Sequence, residues 1–219
     1  YWGVSQYNSK INAINHYQNQ VLHQVKKETT KFVKDVFNTA GLLKKSYSSD
    51  ETLIDNIVKV NSNISSIIVL NKKGIIKDIA SEYYTNAKEG FDFSQKIYFS
   101  NINSKTTQYW SDFFLSTISL KPTISYSFTH ENRIFVIMLK LSELSEFISR
   151  FKNIDGSYML RVFDKNGIII LNPGYKDIAM QRFNASGSEV YTNLIDKKPE
   201  FTQTTFTPLR AKSIQYGSY

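Results

Sequence analysis

Cysteine is absent from the 219 residues, proline occurs only 4 times and glycine only 9 times. The first absence excludes a disulfide scaffold and any thiolate metal site. So few glycines argue against a nucleotide-binding α/β fold, which needs them where backbone approaches phosphate. Gly-x-Ser-x-Gly, a glycine-rich phosphate loop and His-Glu-x-x-His are all missing, so no catalytic residues are assigned. His16 and His23 are seven apart on one helical face, whereas a helical metal pair is spaced i and i+4 and needs a third ligand. His130 falls at a turn. No metal and no cofactor is expected. The longest run without Asp, Glu, Lys or Arg, Ile11–Val25, is studded with Asn and Gln and falls short of the ~20 apolar residues a bilayer requires. The opening at Tyr1 has no charged n-region followed by an apolar h-region, so the chain reads as a piece of something longer.

With 41% hydrophobic and 21% charged residues, the composition is that of a folded chain, long enough for one large domain or two small ones. The net charge is +8, but the lysines are spread along the chain. The tight pairs Lys26-Lys27, Lys44-Lys45, Lys72-Lys73 and Lys197-Lys198 are not interleaved with aromatics as a single-strand-binding groove would be, so no nucleic-acid partner is expected.

Periodicity divides the chain. Val4, Tyr7, Ile11, Ile14, Val21, Val25 and Phe32 follow a seven-residue repeat, with Gln18 and Glu28 as polar interruptions, and predict one long helix to about Ala40. The stripe then widens to Phe32, Val33, Val36 and Phe37, as in core packing. Ser48 and Glu51 have capping-box spacing ahead of a second helix whose apolar face is Leu53, Ile54, Ile57 and Val58. Next comes a hairpin, Ile67–Leu70 and Ile75-Ile76, closed at Gly74. A short helix or loop over Phe91–Asn101 is followed by strands Tyr109–Ser116, Thr123–His130 and Ile134–Leu141, and by a helix from Ser142 to about Phe151.

The pattern then recurs. Arg161–Ile169 echoes Val69–Ile76, with Gly167 in the place of Gly74, which indicates two similar modules in tandem. In the second, Tyr175–Phe183 and Gly187–Ile195 read as helical, and Phe201–Pro208 and Ser213–Tyr219 as strands. That makes four strands where the first module has five.

This order resembles the double Cache fold, the PAS-like extracytoplasmic sensor domains of bacterial receptors. The likeness rests on Val69–Gly74, Gly90–Ser94, Tyr109–Asp112, Lys121–Ile124, Leu141–Leu144 and Phe163–Gly167. It implies an α+β fold: a stalk helix over 1–47, a membrane-distal, ligand-binding PAS-like module over 48–153, and a shorter membrane-proximal one over 154–219, each with an antiparallel sheet of five-strand type. It further implies transmembrane helices before Tyr1 and after Tyr219. The fragment is then the sensing domain of a cell-membrane protein, a histidine kinase or diguanylate cyclase, with no catalysis of its own. The alternatives are a methyl-accepting chemoreceptor sensor and a ligand-free coiled-coil dimerisation module. A homodimer through the N-terminal helix is expected, since its a and d stripe suits a two-fold pair.

In the family, small molecules bind the distal module, between the sheet and the loop and helix that cover it. The segments Glu82–Ser100 and Tyr109–Ser116 offer aromatic lining there. Tyr83, Phe91, Tyr98, Phe99, Trp110, Asp112 and Phe113 are the candidates, with Ser125 on the following strand. Amino-acid-binding members carry Arg-x-Trp-Tyr against the ligand carboxylate and an Asp against its ammonium. Lys96, Tyr98 and Phe99 stand at the first set of positions here, and Lys140 near the Asp. A lysine at Lys140 would repel an ammonium. If Lys96 and Lys140 both face the pocket, the ligand is an anion, such as a small carboxylate.

Overall fold

The computed structural model describes residues 2–50, 52–103, 105–150, 161–164, 166–171, 183–188, 191–192, 203–206 and 215–218. The long helix, α1 (Trp2–Ser46), runs past Ala40 because Leu42 and Leu43 carry the helical pattern beyond Gly41. Its buried stripe is Val21, then Phe32, Val36, Ala40 and Leu43, whereas the heptad members Tyr7 and Ile14 are exposed. A 3-10 turn (Tyr47–Ser49) leads to α2 (Leu53–Val60), which buries Leu53, Ile54, Ile57 and Val58. The expected capping pair does not start this helix. Ser48 accepts a hydrogen bond from Arg133 at 3.1 Å, and Glu51 lies outside the described residues. The Asp50 carboxylate instead accepts the Thr52 N–H and hydroxyl, each at 2.9 Å.

The chain divides into two compact units, Lys31–Phe147 and Tyr1–Thr30 with Ile148–Tyr219. In the first, α1 from Lys31 belongs to the globule itself. Its strands are β1 (Ile64–Asn71), β2 (Ile76–Ser81), β3 (Gln108–Trp110), β4 (Phe114–Leu115), β5 (Pro122–Thr123), β6 (Ser125–His130) and β7 (Arg133–Leu139), with the short helix α3 (Ile97–Ser100) after β2 and α4 (Leu141–Ser149) after β7. Five form one antiparallel sheet in the order β2-β1-β7-β6-β3.

The sheet is covered on both faces, so its middle strand β7 is a continuous apolar run rather than an alternating one. One face carries Ile68, Leu70, Ile134, Val136 and Met138 against Phe93, Tyr98, Ile102 and Ile118. The other is an aromatic row. Phe37 of α1 meets Trp110 and Tyr126 edge-on at 6.0 and 5.2 Å, Phe128 stacks on Phe135 at 5.1 Å, and Tyr47 meets Phe135 at 5.1 Å.

The stretch Tyr109–Ser116, expected as one strand, is broken. Ser111 ends the ladder by accepting the Ser125 N–H on its side-chain oxygen at 2.8 Å, and Phe114-Leu115 then pairs separately with Pro122-Thr123. The Ser116 hydroxyl oxygen closes the turn between them by accepting from Ile118 and Ser119.

The internal repeat extends to individual hydrogen bonds. Asn71 Oδ1 accepts the N–H groups of Lys73 and Ile75, and Asp164 Oδ1 those of Asn166 and Ile168. The Gly74 carbonyl accepts from Phe93 at 2.8 Å, as that of Gly167 does from Ala185. Asp92 and Asn184 each bond a serine N–H two residues on. Both glycines have positive φ, and a Cβ on either would meet serine backbone, Ser94 at 2.6 Å and Ser186 at 2.8 Å. In this second unit, β8 (Val162–Phe163) pairs with β9 (Ile169–Leu171), and β10 (Gln203–Phe206) with β11 (Gln215–Ser218). Of the two helices expected over 175–195, Tyr191-Thr192 is helical, Phe183–Ser188 forms an irregular link, and the rest lies outside the described residues.

Gly74→Ala sets a positive φ and a 2.6 Å clash with Ser94 against a methyl group, and is expected to lower stability by about 1–3 kcal/mol. Gly41→Ala, with nothing within 4 Å, is expected to raise it by about 0.5–1 kcal/mol. Urea denaturation of the two variants beside the parent checks both signs.

Candidate ligand site

Register fixes which side chains share the face under α3. Ser66 and Ser125 both pair with Met138, one from each flanking strand. Ile68 and Ser127 likewise flank Val136, and Tyr109 pairs with Ser127. Cross-strand partners point to the same side, so Ser66, Ser125 and Ser127 stand in the layer that Tyr98 and Phe93 cover. Neighbouring strands lie about 4.8 Å apart, which puts Ser66 and Ser125 roughly 10 Å from each other across Met138.

The cover is held by the Gly74 turn. Phe93 donates to the Gly74 carbonyl, Ile76 to the Phe91 carbonyl, and Gly90 to the Ile76 carbonyl. Phe93 and Tyr98 meet at 6.2 Å, and Tyr98 packs on Phe114 at 5.8 Å.

Four hydroxyl oxygens in this layer, those of Ser66, Ser125, Ser127 and Tyr98, are buried with no hydrogen-bond partner. The three serines are fully buried and Tyr98 is 2% exposed. Other buried hydroxyls of the same unit are engaged: Ser65 donates to the Met138 carbonyl and Thr123 to that of Leu139. Burial pushes the Tyr98 phenol well above its ordinary range, so it stays an O–H at any physiological pH. A buried hydroxyl left alone costs about 1–3 kcal/mol, so four on one face mark a place for a polar occupant.

The structure brings only part of the expected site together. Tyr98 and Ser125 lie in the layer, and Phe99 packs against it half-buried. Trp110 does not: the parity of β3 turns it to the opposite face, against Phe37 and Tyr126. Phe113 is buried. Asp112 is half-buried and already engaged. Phe91 is 41% exposed, with the Lys88 ammonium near its ring. Tyr83 lies under the Lys121 ammonium at 4.3 Å. Lys96 is half-buried, its ammonium 5.5 Å from the Phe93 ring. Lys140 donates to Glu82 at 2.8 Å, a bond that raises its pKa, and the two line an open groove of about 500 Å³ at the end of the sheet.

Ser66 and Ser127 were missed by sequence reasoning. The signal for Ser127 is the alternation Ser125-Tyr126-Ser127-Phe128, which puts small hydroxyls on one face and rings on the other. Ser66 gave no such signal, because the strand was started at Ile67.

Neither a family model nor a curated protein matches the chain. Solved structures do. The extracellular domain of rpHK1S-Z16, described as a histidine kinase, superposes with a TM-score of 0.68 at 10% identity, over 99% of this chain and 89% of that one. The ligand-binding domain of Campylobacter jejuni chemoreceptor Tlp3, in complex with L-norvaline, gives 0.65 at 12% identity, over 92% and 84%. That of Pseudomonas fluorescens chemoreceptor CtaA, with L-serine, gives 0.58 at 12%, over 97% of each chain. At these identities the likeness is one of fold, and it bears out the double Cache resemblance at that level.

Two outcomes follow for the ligand-free protein. Tyr98→Phe removes an unpartnered hydroxyl and is expected to leave stability unchanged or raise it by up to about 1 kcal/mol, while Ser111→Ala strands the Ser125 N–H and lowers it by about 1–3 kcal/mol. Thermal denaturation at neutral pH reads both. Because folding raises the Tyr98 pKa, its contribution to stability is whole below about pH 10 and falls above it. Denaturation across pH 8–11 is therefore expected to show a shallower alkaline loss in Tyr98→Phe, with the remainder carried by Tyr47 and Tyr126, whose pKa values are also raised.

Proposed function

We propose that this chain is the extracytoplasmic sensing domain of a membrane-bound signal-transduction receptor, and that it binds a small molecule in the Lys31–Phe147 unit, on the sheet face under α3. The observation that carries this is the set of four buried, unpartnered hydroxyls on that face. The fold supports it, since the neighbours named above are extracellular or ligand-binding domains and two hold a small ligand. No helix among the described residues is long and apolar enough to cross a membrane. The anchoring segments and the output domain, a histidine kinase, a diguanylate cyclase or a chemoreceptor signalling domain, belong to the rest of such a receptor. The ligand-holding unit is the membrane-distal module in this reading, and a second copy packs on α1, where Tyr7 and Ile14 are exposed.

Transmission follows from the two faces of β6. Ser125 and Ser127 meet the ligand, while Tyr126 between them packs on Phe37 of α1. A ligand that holds one placement of β6 more tightly shifts the population of helix positions by its differential affinity and no more.

Thermal-shift measurement of the chain against a library of small metabolites tests the reading. A binder at a hundred times its Kd is expected to add about 2.7 kcal/mol of stability. Ser127→Val, which puts two methyl groups in place of the hydroxyl, is expected to remove that shift. A shift retained in this variant, or a library without any stabilising compound, would count against the site.

A further inference from the structure

Resting on the sensor reading above, we infer that the molecule bound under α3 is uncharged and rich in hydroxyl groups, a polyol or sugar-like compound rather than an amino acid or a carboxylate. The four free groups in the layer are all hydroxyls, those of Ser66, Ser125, Ser127 and Tyr98. Each both donates and accepts, and a ligand hydroxyl answers it in both capacities without bringing a charge. The three serines span roughly 7–12 Å from one another by strand spacing and residue rise, so a ligand of about five or six carbons reaches all of them.

The carboxylates around the layer already have partners, and so has Lys140. An ammonium needs a carboxylate beside it. Glu82 is bonded to Lys140 at 2.8 Å, Asp92 bonds the Ser94 N–H at 2.7 Å, and Asp112 is already engaged. An anion needs a cation. The Glu82 bond removes Lys140, one of the two charges on which the anion expectation rested, and the Lys121 ammonium lies over Tyr83 at 4.3 Å. Lys96 lies over Phe93 at 5.5 Å, half-buried at the rim of the layer. The rest of the lining is Ile, Val, Met and aromatic side chains, which exclude water and make a lone ligand charge costly.

Isothermal titration of the 219-residue chain with three sets of probes decides it: neutral polyols and sugars (glycerol, erythritol, myo-inositol, D-ribose, D-glucose), amino acids (L-serine, L-isoleucine) and the dicarboxylate succinate. Binding in the first set alone is expected, weakened about tenfold by each of Ser66→Ala, Ser125→Ala and Ser127→Ala. Binding of L-serine, L-isoleucine or succinate that is weakened by the serine variants overturns the charge assignment but keeps the sensor site. Binding of any probe that the three serine variants leave untouched, or silence in all three sets, overturns both.

Discussion

A hydroxyl removed from water must find another partner or forfeit about 1–3 kcal/mol. Four such groups on one face represent a loss of the same order as the whole stability of an ordinary domain. The same unit ties the buried Ser65 and Thr123 hydroxyls to backbone carbonyls and that of Ser116 to the Met138 sulfur, so the chain is capable of closing these bonds where they serve structure. Under α3 it leaves them open. In this layer small side chains interrupt an otherwise aliphatic and aromatic face, between Met138 and Val136 on the central strand and the cover of Phe93 and Tyr98. Unmet polarity inside an apolar surround is what a small polar ligand answers.

The cover over that layer is fastened at one point of special geometry. Gly74, at φ 81°, lets the hairpin turn approach Ser94 more closely than any side chain permits. Three backbone hydrogen bonds then run from Gly74 and Ile76 to the segment Gly90–Phe93. The segment carrying Phe93 and Tyr98 is therefore fixed at its start, and the Lys96 N–H, donating to the Phe93 carbonyl at 3.0 Å, leads it into α3, a four-residue helix with no side-chain cap. The aromatic row on the opposite face is packed ring against ring from Trp110 to Tyr47. A change begun under α3 meets a stiff layer on the far side of a single strand, and close packing passes displacement on rather than absorbing it.

Much of this fold was legible in the sequence because periodicity is set by burial. The helical stripe through Phe37, the hairpin at Gly74, the five-strand sheet and the repeat at Gly167 all follow from it. What stayed hidden depends on single side chains doing the work of backbone. The break after Trp110 comes from the Ser111 hydroxyl taking the Ser125 N–H, and residue spacing carries no mark of that. Trp110 reads as aromatic lining of the ligand site, but strand parity outranks residue type: it pairs with Tyr126, and both turn toward α1. The heptad was real as a pattern and misleading as a burial map, since Tyr7 and Ile14 are exposed while Val21 and Phe32 are buried.

The repeat also says where the two units part company. Both keep the turn carboxamide or carboxylate, the glycine at positive φ and the serine two residues past a second Asx. The residue that donates to the glycine carbonyl differs: Phe93 in one unit, Ala185 in the other. Four residues of backbone logic recur between the copies. Where one copy has the Phe93 ring the other has a methyl group, but Tyr191 of the second unit is buried and meets Phe163 edge-on at 5.9 Å. A phenyl ring against a methyl group is a large difference in apolar area, and at this position of the shared motif the two copies part.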